Sequence, residues 1–286
     1  MEPGTVALVL VAATAHAVWN VASKYKRGDT LLFVWAYTCV SALLCVPISA
    51  ALTVEVQQML DWRLVVGATV SAILHIAYSL ILQVGYSRAE LALVYSVARG
   101  TGPMLTMLFA VLLFGERLNT ASMLGALLIV AGIFVVVGRV FRSESHNPLP
   151  GVLWGAATGA CIAGYTLWDS FSVITWHLPP LRYYALTLLV QGLTLTPIAL
   201  LRWQRIPDVL RADAMPLLVV AVFSPLAYIL VLTAMLSAPV ALIAPLRESS
   251  IVIGSLLACW LFGEGRLARR LVGGIIVLAG VLAISL

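Results

Sequence analysis

Two arginines interrupt long apolar stretches at equivalent places. Arg99 closes Leu91-Ala-Leu-Val-Tyr-Ser-Val-Ala-Arg99, and Arg247 closes Val240-Ala-Leu-Ile-Ala-Pro-Leu-Arg247. An ionised side chain at bilayer depth costs roughly 2.5–3.5 kcal/mol on insertion scales, so it lines a polar cavity or takes a partner. A guanidinium is a planar fork of donors that fits a carboxylate or a phosphonate. The chemistry on offer is capture of an anionic group. The alternative is a pair of structural ion bridges, with either arginine joined to Glu248, Asp169 or Glu90.

Glu248 follows Arg247 directly. Successive residues on a helix point about 100° apart, so these two need not pair. Glu248 then reads either as a proton-coupling carboxylate or as the counter-ion of Arg99. Asp169 and His16 are the other proton-coupling candidates. His16 and Asn20 share a face one turn apart, with Trp19 between them. Trp19-Asn20 recurs as Trp168-Asp169 at an offset of 149 positions. His75 and Tyr78 have one-face spacing, as do Tyr95 and Arg99; with a cation nearby such aromatics shape a pocket, and otherwise they pack. The candidate binding set is therefore Arg99, Arg247, Glu248, His16, Asn20, Tyr95, His75, Tyr78 and Trp19. No phosphate-binding loop, nucleophile elbow or metal-ligand cluster appears, so neither a catalytic centre, a metal site nor a cofactor is expected.

The elements that position these residues follow from composition. Of 286 residues 62% are hydrophobic and 10% charged, against about 25% charged in a soluble domain, which makes the chain an integral membrane protein. Its net charge of +5 is topogenic and gives no nucleic-acid patch. The cysteines Cys39, Cys45, Cys161 and Cys259 all lie in apolar stretches and read as buried free thiols. The first hydrophobic stretch has no positive leader before it and reads as a retained helix.

A spanning helix needs about 20 mostly apolar residues. That rule gives ten spans, near 4–23, 30–53, 63–84, 89–112, 120–138, 149–171, 181–201, 212–236, 239–262 and 268–286. At an offset of 148 positions Leu113-Phe-Gly-Glu116 lands on Leu261-Phe-Gly-Glu264, Gly125 on Gly273, Gly132 on Gly280, and Arg99 on Arg247. A five-span unit is thus used twice, as residues 1–138 and 149–286, joined by a polar cytoplasmic linker at 139–148. Five is odd, so the second copy inserts upside down, giving two inverted five-helix repeats around a central cavity.

Links after odd-numbered spans carry twelve cations: Lys24, Lys26, Arg27, Arg88, Arg139, Arg142, Arg202, Arg205, Arg211, Arg266, Arg269 and Arg270. The other side carries three, Arg63, Arg117 and Arg182, which puts the odd links in the cytoplasm and both termini outside. Arg99 stands about eleven residues into its span, roughly 15 Å deep. Gly100-Thr-Gly102-Pro103 beside it reads as a loosened stretch of helix, because Pro103 cannot donate to the Arg99 carbonyl. The Gly151, Gly155 and Gly159 stripe reads as a helix-packing surface, and Glu116 and Glu264 as capping or gating groups.

With these motifs the chain resembles the drug/metabolite transporter superfamily in its EamA-like branch. The residues that carry the likeness are His16-Ala-Val-Trp-Asn20 with Lys24, the paired Leu-Phe-Gly-Glu ends, Ala98-Arg-Gly-Thr-Gly-Pro103 and Ala244-Pro-Leu-Arg-Glu-Ser-Ser250. The resemblance covers essentially the whole chain, and it implies a central cavity with alternating access in a multi-pass protein of the bacterial inner membrane. It is specific for fold and not for substrate, since members carry amino acids, nucleosides, sugars and organic cations. The small multidrug exporters of the superfamily use a glutamate in the first helix, where this chain has His16 and Asn20. The reading that results is secondary transport, taken as export, of a small anionic or zwitterionic metabolite, with proton coupling, by a monomer or homodimer among membrane lipid. Two others stay open: a lipid-head-group translocase, and a non-transporting scaffold subunit whose arginines only bridge helices.

Overall fold

With no water in the hydrocarbon core, every backbone amide there must be bonded within its own segment, and an apolar chain answers by forming helices. The computed structural model describes residues 1–52, 61–89, 91–137, 148–262 and 267–285, and all regular structure among them is helical. The first half holds α1 (Pro3–Ser23), α2 (Thr30–Ala51), α3 (Trp62–Arg88), α4 (Leu91–Phe114) and α5 (Thr120–Val137). The second holds α6 (Leu149–Ile174), α7 (Pro180–Leu200), the short α8 (Ile206–Ala212), α9 (Ala214–Met235), α10 (Val240–Arg247), α11 (Ser249–Phe262) and α12 (Leu267–Ser285). Outside the described residues lie Glu90, Glu264, all but the last residue of the expected linker at 139–148, and the side chain of Cys259.

Helix starts follow local chemistry. Asp29 accepts from Leu31 N (2.9 Å) and Leu32 N (3.3 Å) to cap α2, and Asp61 accepts from Arg63 N (3.1 Å) to cap α3. Two expectations are corrected. The ninth span is not one helix: it breaks at Glu248 into α10 and α11. The stretch expected to loosen at Gly100–Pro103 does not, since α4 runs through it unbroken. Its glycines serve contact instead, because a Cβ on Gly100 would lie 2.2 Å from the Phe134 ring and one on Gly102 3.0 Å from Ile162.

Helix contacts come in pairs related by exchanging the halves. The packing of α4 on α6 is answered by α10 and α11 on α1, and α1 on α9 by α6 on α3. Two pairs, α2 with α7 and α5 with α12, are each their own counterpart. The second is a crossing at backbone distance: a Cβ on Gly125 would come 2.7 Å from Gly280 O, and one on Gly132 2.8 Å from Gly273 O. The Gly151, Gly155 and Gly159 stripe packs α6 onto α4, against Leu93, Val97 and Thr101.

The links sort onto two ends. At one end the buried Asp213 accepts from Arg27 N (2.8 Å) and Gly28 N (2.9 Å), Arg202 pairs with Asp29 at 2.6 Å, and Arg88 lies over Trp154. At the other, the Met1 amino group donates to Ile284 O (3.1 Å), and Trp62 meets Trp176 edge-on. Glu116 shares that second end and caps α10 from a different helix pair, accepting from Val240 N (2.8 Å) and Ala241 N (3.0 Å). Gly115, at φ +66°, makes the turn that aims it there.

Candidate functional site

The break in the ninth span builds the centre of the site. Pro245 lacks an N–H, and around Glu248 the backbone tightens to three-residue bonds: Glu248 N donates to Pro245 O (3.0 Å) and Ile251 N to Glu248 O (2.9 Å). Arg247 thereby ends one helix, where cations are favoured, while Glu248 precedes the start of the next, where anions are. The break also overturns the expectation that the two neighbours need not pair. Arg247 Nη2 lies 3.3 Å from Glu248 Oε1, and Arg99 Nη1 reaches the other oxygen, Oε2, at 2.9 Å. One carboxylate bridges two guanidiniums, leaving the trio with a formal charge of +1. All three are out of water: Arg99 is 9% exposed, Arg247 5% and Glu248 1%.

Beside the two guanidiniums lies a partly open cavity of about 130 Å³, enough for several waters or a small solute. Of the sequence candidates, His16, Trp19, His75, Tyr78, Arg99 and Arg247 line it. Arg99 Nη2 makes a long 3.5 Å contact to His16 Nε2. A guanidinium only donates, so that ring nitrogen is the acceptor and the His16 proton sits on Nδ1. Trp19 stands edge-on to His16 with centroids 4.8 Å apart, and Tyr95 lies under the Arg99 guanidinium at 5.3 Å. His75 Nδ1 is 2.9 Å from Ser71 O.

Two candidates are placed elsewhere. Asn20 Nδ2 turns back to His16 O (2.9 Å), within its own helix and off the cavity wall. Asp169, 0% exposed, meets neither arginine: Tyr183 Oη donates to its Oδ1 (2.6 Å) and Tyr228 Oη to its Oδ2. The recurring Trp–polar pair has thus diverged. Trp168 Nε1 is used up on Gly67 O (2.9 Å), whereas Trp19 Nε1 is buried without a hydrogen-bond partner.

Sequence reasoning missed the aromatic half of the wall: Tyr37, Tyr165, Tyr184 and Tyr228, with Gln191. A signal for two of them was present. The offset of 149 that links the Trp–polar pairs also carries His16 onto Tyr165 and Ser79 onto Tyr228, and all four line the cavity. His75 maps likewise onto Ser224. The cavity straddles the repeat axis, and while Arg99 and Arg247 match, these three pairs hold unlike side chains.

Donors outnumber their partners here. Arg247 Nε, Trp19 Nε1 and Gln191 Nε2 are buried with no hydrogen-bond partner, and all three residues face the cavity. A buried donor left unsatisfied costs about 1–3 kcal/mol. The arrangement suits an occupant rich in acceptors.

Among the described residues six helices are long and apolar enough to cross a membrane, with shorter apolar helices beside them, and around a charged, donor-rich cavity they define a multi-pass membrane protein. The model of the EamA-like transporter family matches residues 4–138 and 149–286, so the chain belongs to that family and is a membrane transporter of small solutes. A solved crystal structure is similar across 99% of this chain and 96% of its own, with a TM-score of 0.79 at 19% identity, a likeness of fold. No curated protein matches the chain significantly.

Proposed function

We propose that the protein is a secondary transporter whose substrate is a small organic anion or zwitterion, held through its carboxylate by Arg99 and Arg247. The observation that carries this is the pair of buried guanidiniums sharing a single carboxylate, with Arg247 Nε unpartnered beside the cavity. A substrate carboxylate would neutralise the remaining +1 and satisfy donors that nothing in the chain satisfies. A lipophilic cation would meet two guanidiniums at close range.

The units 1–138 and 149–286, joined by the linker, supply the walls, and alternating access between their two ends is the mode of transport this reading adopts. Glu248 is the internal stand-in for the substrate. A proton on Glu248 would release both guanidiniums, so coupled movement of proton and anion is the mechanism that follows. Asp169 and His16 are secondary carriers in this reading. In this reading the protein lies in a bacterial inner membrane with the Asp29–Arg202 end facing the cytoplasm, an orientation that the charge bias supports.

The test is a thermal-shift screen of the purified protein in detergent against anionic, zwitterionic and cationic metabolites, with Arg99→Gln and Arg247→Gln alongside. Stabilisation by a carboxylate, lost in either folded variant, is expected. Stabilisation by cations alone, untouched by both substitutions, would make the arginines structural and overturn the reading.

A further inference from the structure

The cavity has two chemically opposite walls. The wall of α1, α4 and α10 presents donors: Trp19 Nε1 and the two guanidiniums. The wall of α3, α6 and α9, with Tyr184 of α7, presents electron-rich groups, while Gln191 Nε2 on α7 adds one further unpartnered donor. There His75 is stacked on Tyr165 at 4.1 Å, with Tyr228 edge-on at 5.4 Å and Tyr184 at 6.3 Å. Behind Tyr228 lies the Asp169 carboxylate.

The tautomer of His75 is fixed by its neighbour. Nδ1 lies 2.9 Å from the Ser71 carbonyl oxygen, which can only accept, so the ring proton is on Nδ1. Nε2 therefore carries a lone pair. His75 lines the cavity, and among the described residues its hydrogen-bonding contacts, to Ser71 O and Ser71 Oγ (3.3 Å), are made through Nδ1. Tyr165 is stacked on His75 and lines the same cavity as Arg247. Acceptor and guanidinium thus face one shared space.

Resting on the carboxylate reading above, we propose that His75 is the specificity-determining residue for the other end of the substrate: its Nε2 accepts from an ammonium held against the faces of Tyr165 and Tyr228. The substrate class narrows from anions in general to amino-carboxylates. Such a zwitterion sets its carboxylate on the donor wall and its ammonium on the electron-rich wall. Tyrosine faces attract a desolvated cation, which adds to the hydrogen bond. A plain carboxylate of the same size leaves Nε2 and the tyrosine faces without their partner.

The experiment measures Kd on the purified full-length protein by calorimetry, with matched probes: alanine and propionate, aspartate and succinate, phenylalanine and 3-phenylpropionate. In the wild type the amino member of at least one pair is expected to bind tenfold or more tighter. His75→Phe is expected to bring that pair within about twofold by weakening the amino member alone. Arg247→Gln is expected to abolish binding of both. Because His75→Phe alters a packed wall, a second measurement uses the wild type with 15N-labelled histidine: the His75 Nε2 resonance is expected to move with the amino member and to stay with its des-amino partner. Equal affinity within every pair, or a preference that survives His75→Phe, overturns the role of His75 while leaving the carboxylate reading intact. Failure of every probe to bind overturns both.

Discussion

Replacing Glu248 by glutamine keeps the shape of the site and removes the one charge that two guanidiniums share. Its oxygens lie 2.9 and 3.3 Å from the arginine nitrogens, and at 1% exposure solvent does little to screen them. Breaking a buried ion pair by neutralising one partner costs about 3–5 kcal/mol. Unfolding entropy near 2.1 cal/mol/K per residue gives roughly 0.6 kcal/mol/K for a chain of this length, so Glu248→Gln is expected to melt about 5–8 °C below wild type. Affinity for the substrate carboxylate moves the other way. With its internal competitor gone, the +2 pair is expected to bind an anionic ligand about tenfold tighter, equivalent to about 1.4 kcal/mol. The double variant Arg99→Gln, Glu248→Gln should cost less than the sum of the singles by about 1–3 kcal/mol. Differential scanning fluorimetry in detergent, with and without ligand, reads all three quantities. A Glu248→Gln protein that melts within 2 °C of wild type and binds no more tightly would refute the bridging role and the picture of Glu248 as a substrate stand-in.

Glu116→Gln takes the charge from the cap on α10 and is expected to cost about 1 kcal/mol, seen as faster hydrogen exchange at the Val240 and Ala241 amides. Gly125→Ala puts a Cβ 2.7 Å from Gly280 O, which must move the backbone; destabilisation of about 1–3 kcal/mol is expected in a melting curve. At the half-buried Asp29, burial pushes the carboxyl pKa up, but the Leu32 amide, the Arg202 guanidinium and the Leu31 amide together hold it below the ordinary 3.8. Its contribution is therefore present above pH 3.8 and lost as pH falls through the depressed value, so the melting gap between wild type and Asp29→Asn should persist at neutral pH and close in acid. In a cysteine-free background, Arg205→Cys is expected to react with an impermeant maleimide only from the cytoplasmic side and Arg63→Cys only from outside; the reverse pattern would invert the assigned topology.

Apolar length made the spans legible, and the register of Arg99 on Arg247 drew attention to the right depth. What sequence periodicity could not convey was the break at Glu248. Pro245 signals a missing amide, but only the folded chain shows that the helix stops two residues later and lets Arg247 and Glu248 meet. Gly100 and Pro103 misled for the opposite reason: α4 stays helical through a stretch whose local chemistry invites loosening, and Gly100 leaves the room that the Phe134 ring fills. Asn20 sat on the right helix and the right face, yet its amide found a carbonyl four residues back. Tyr184 and Gln191 come from α7, whose one charge, Arg182, lies in its first turn and which offered no repeat to mark them.

The two related seams of the bundle are unequally sewn. Along α4 and α6, three glycines bring one backbone onto the other, with Gly159 so close that a methyl group would strike Thr101 Oγ1 and the Gly102 amide. In the partner seam, α1 against α11, the described glycine sits more loosely: a Cβ on Gly254 would meet Ala17 at an ordinary 3.6 Å. In the alternating-access proposal the close α4–α6 seam is the hinge, and the looser edge lies at α1, the helix that carries His16 and Trp19. The two halves thus differ in how near their glycines let the helices approach.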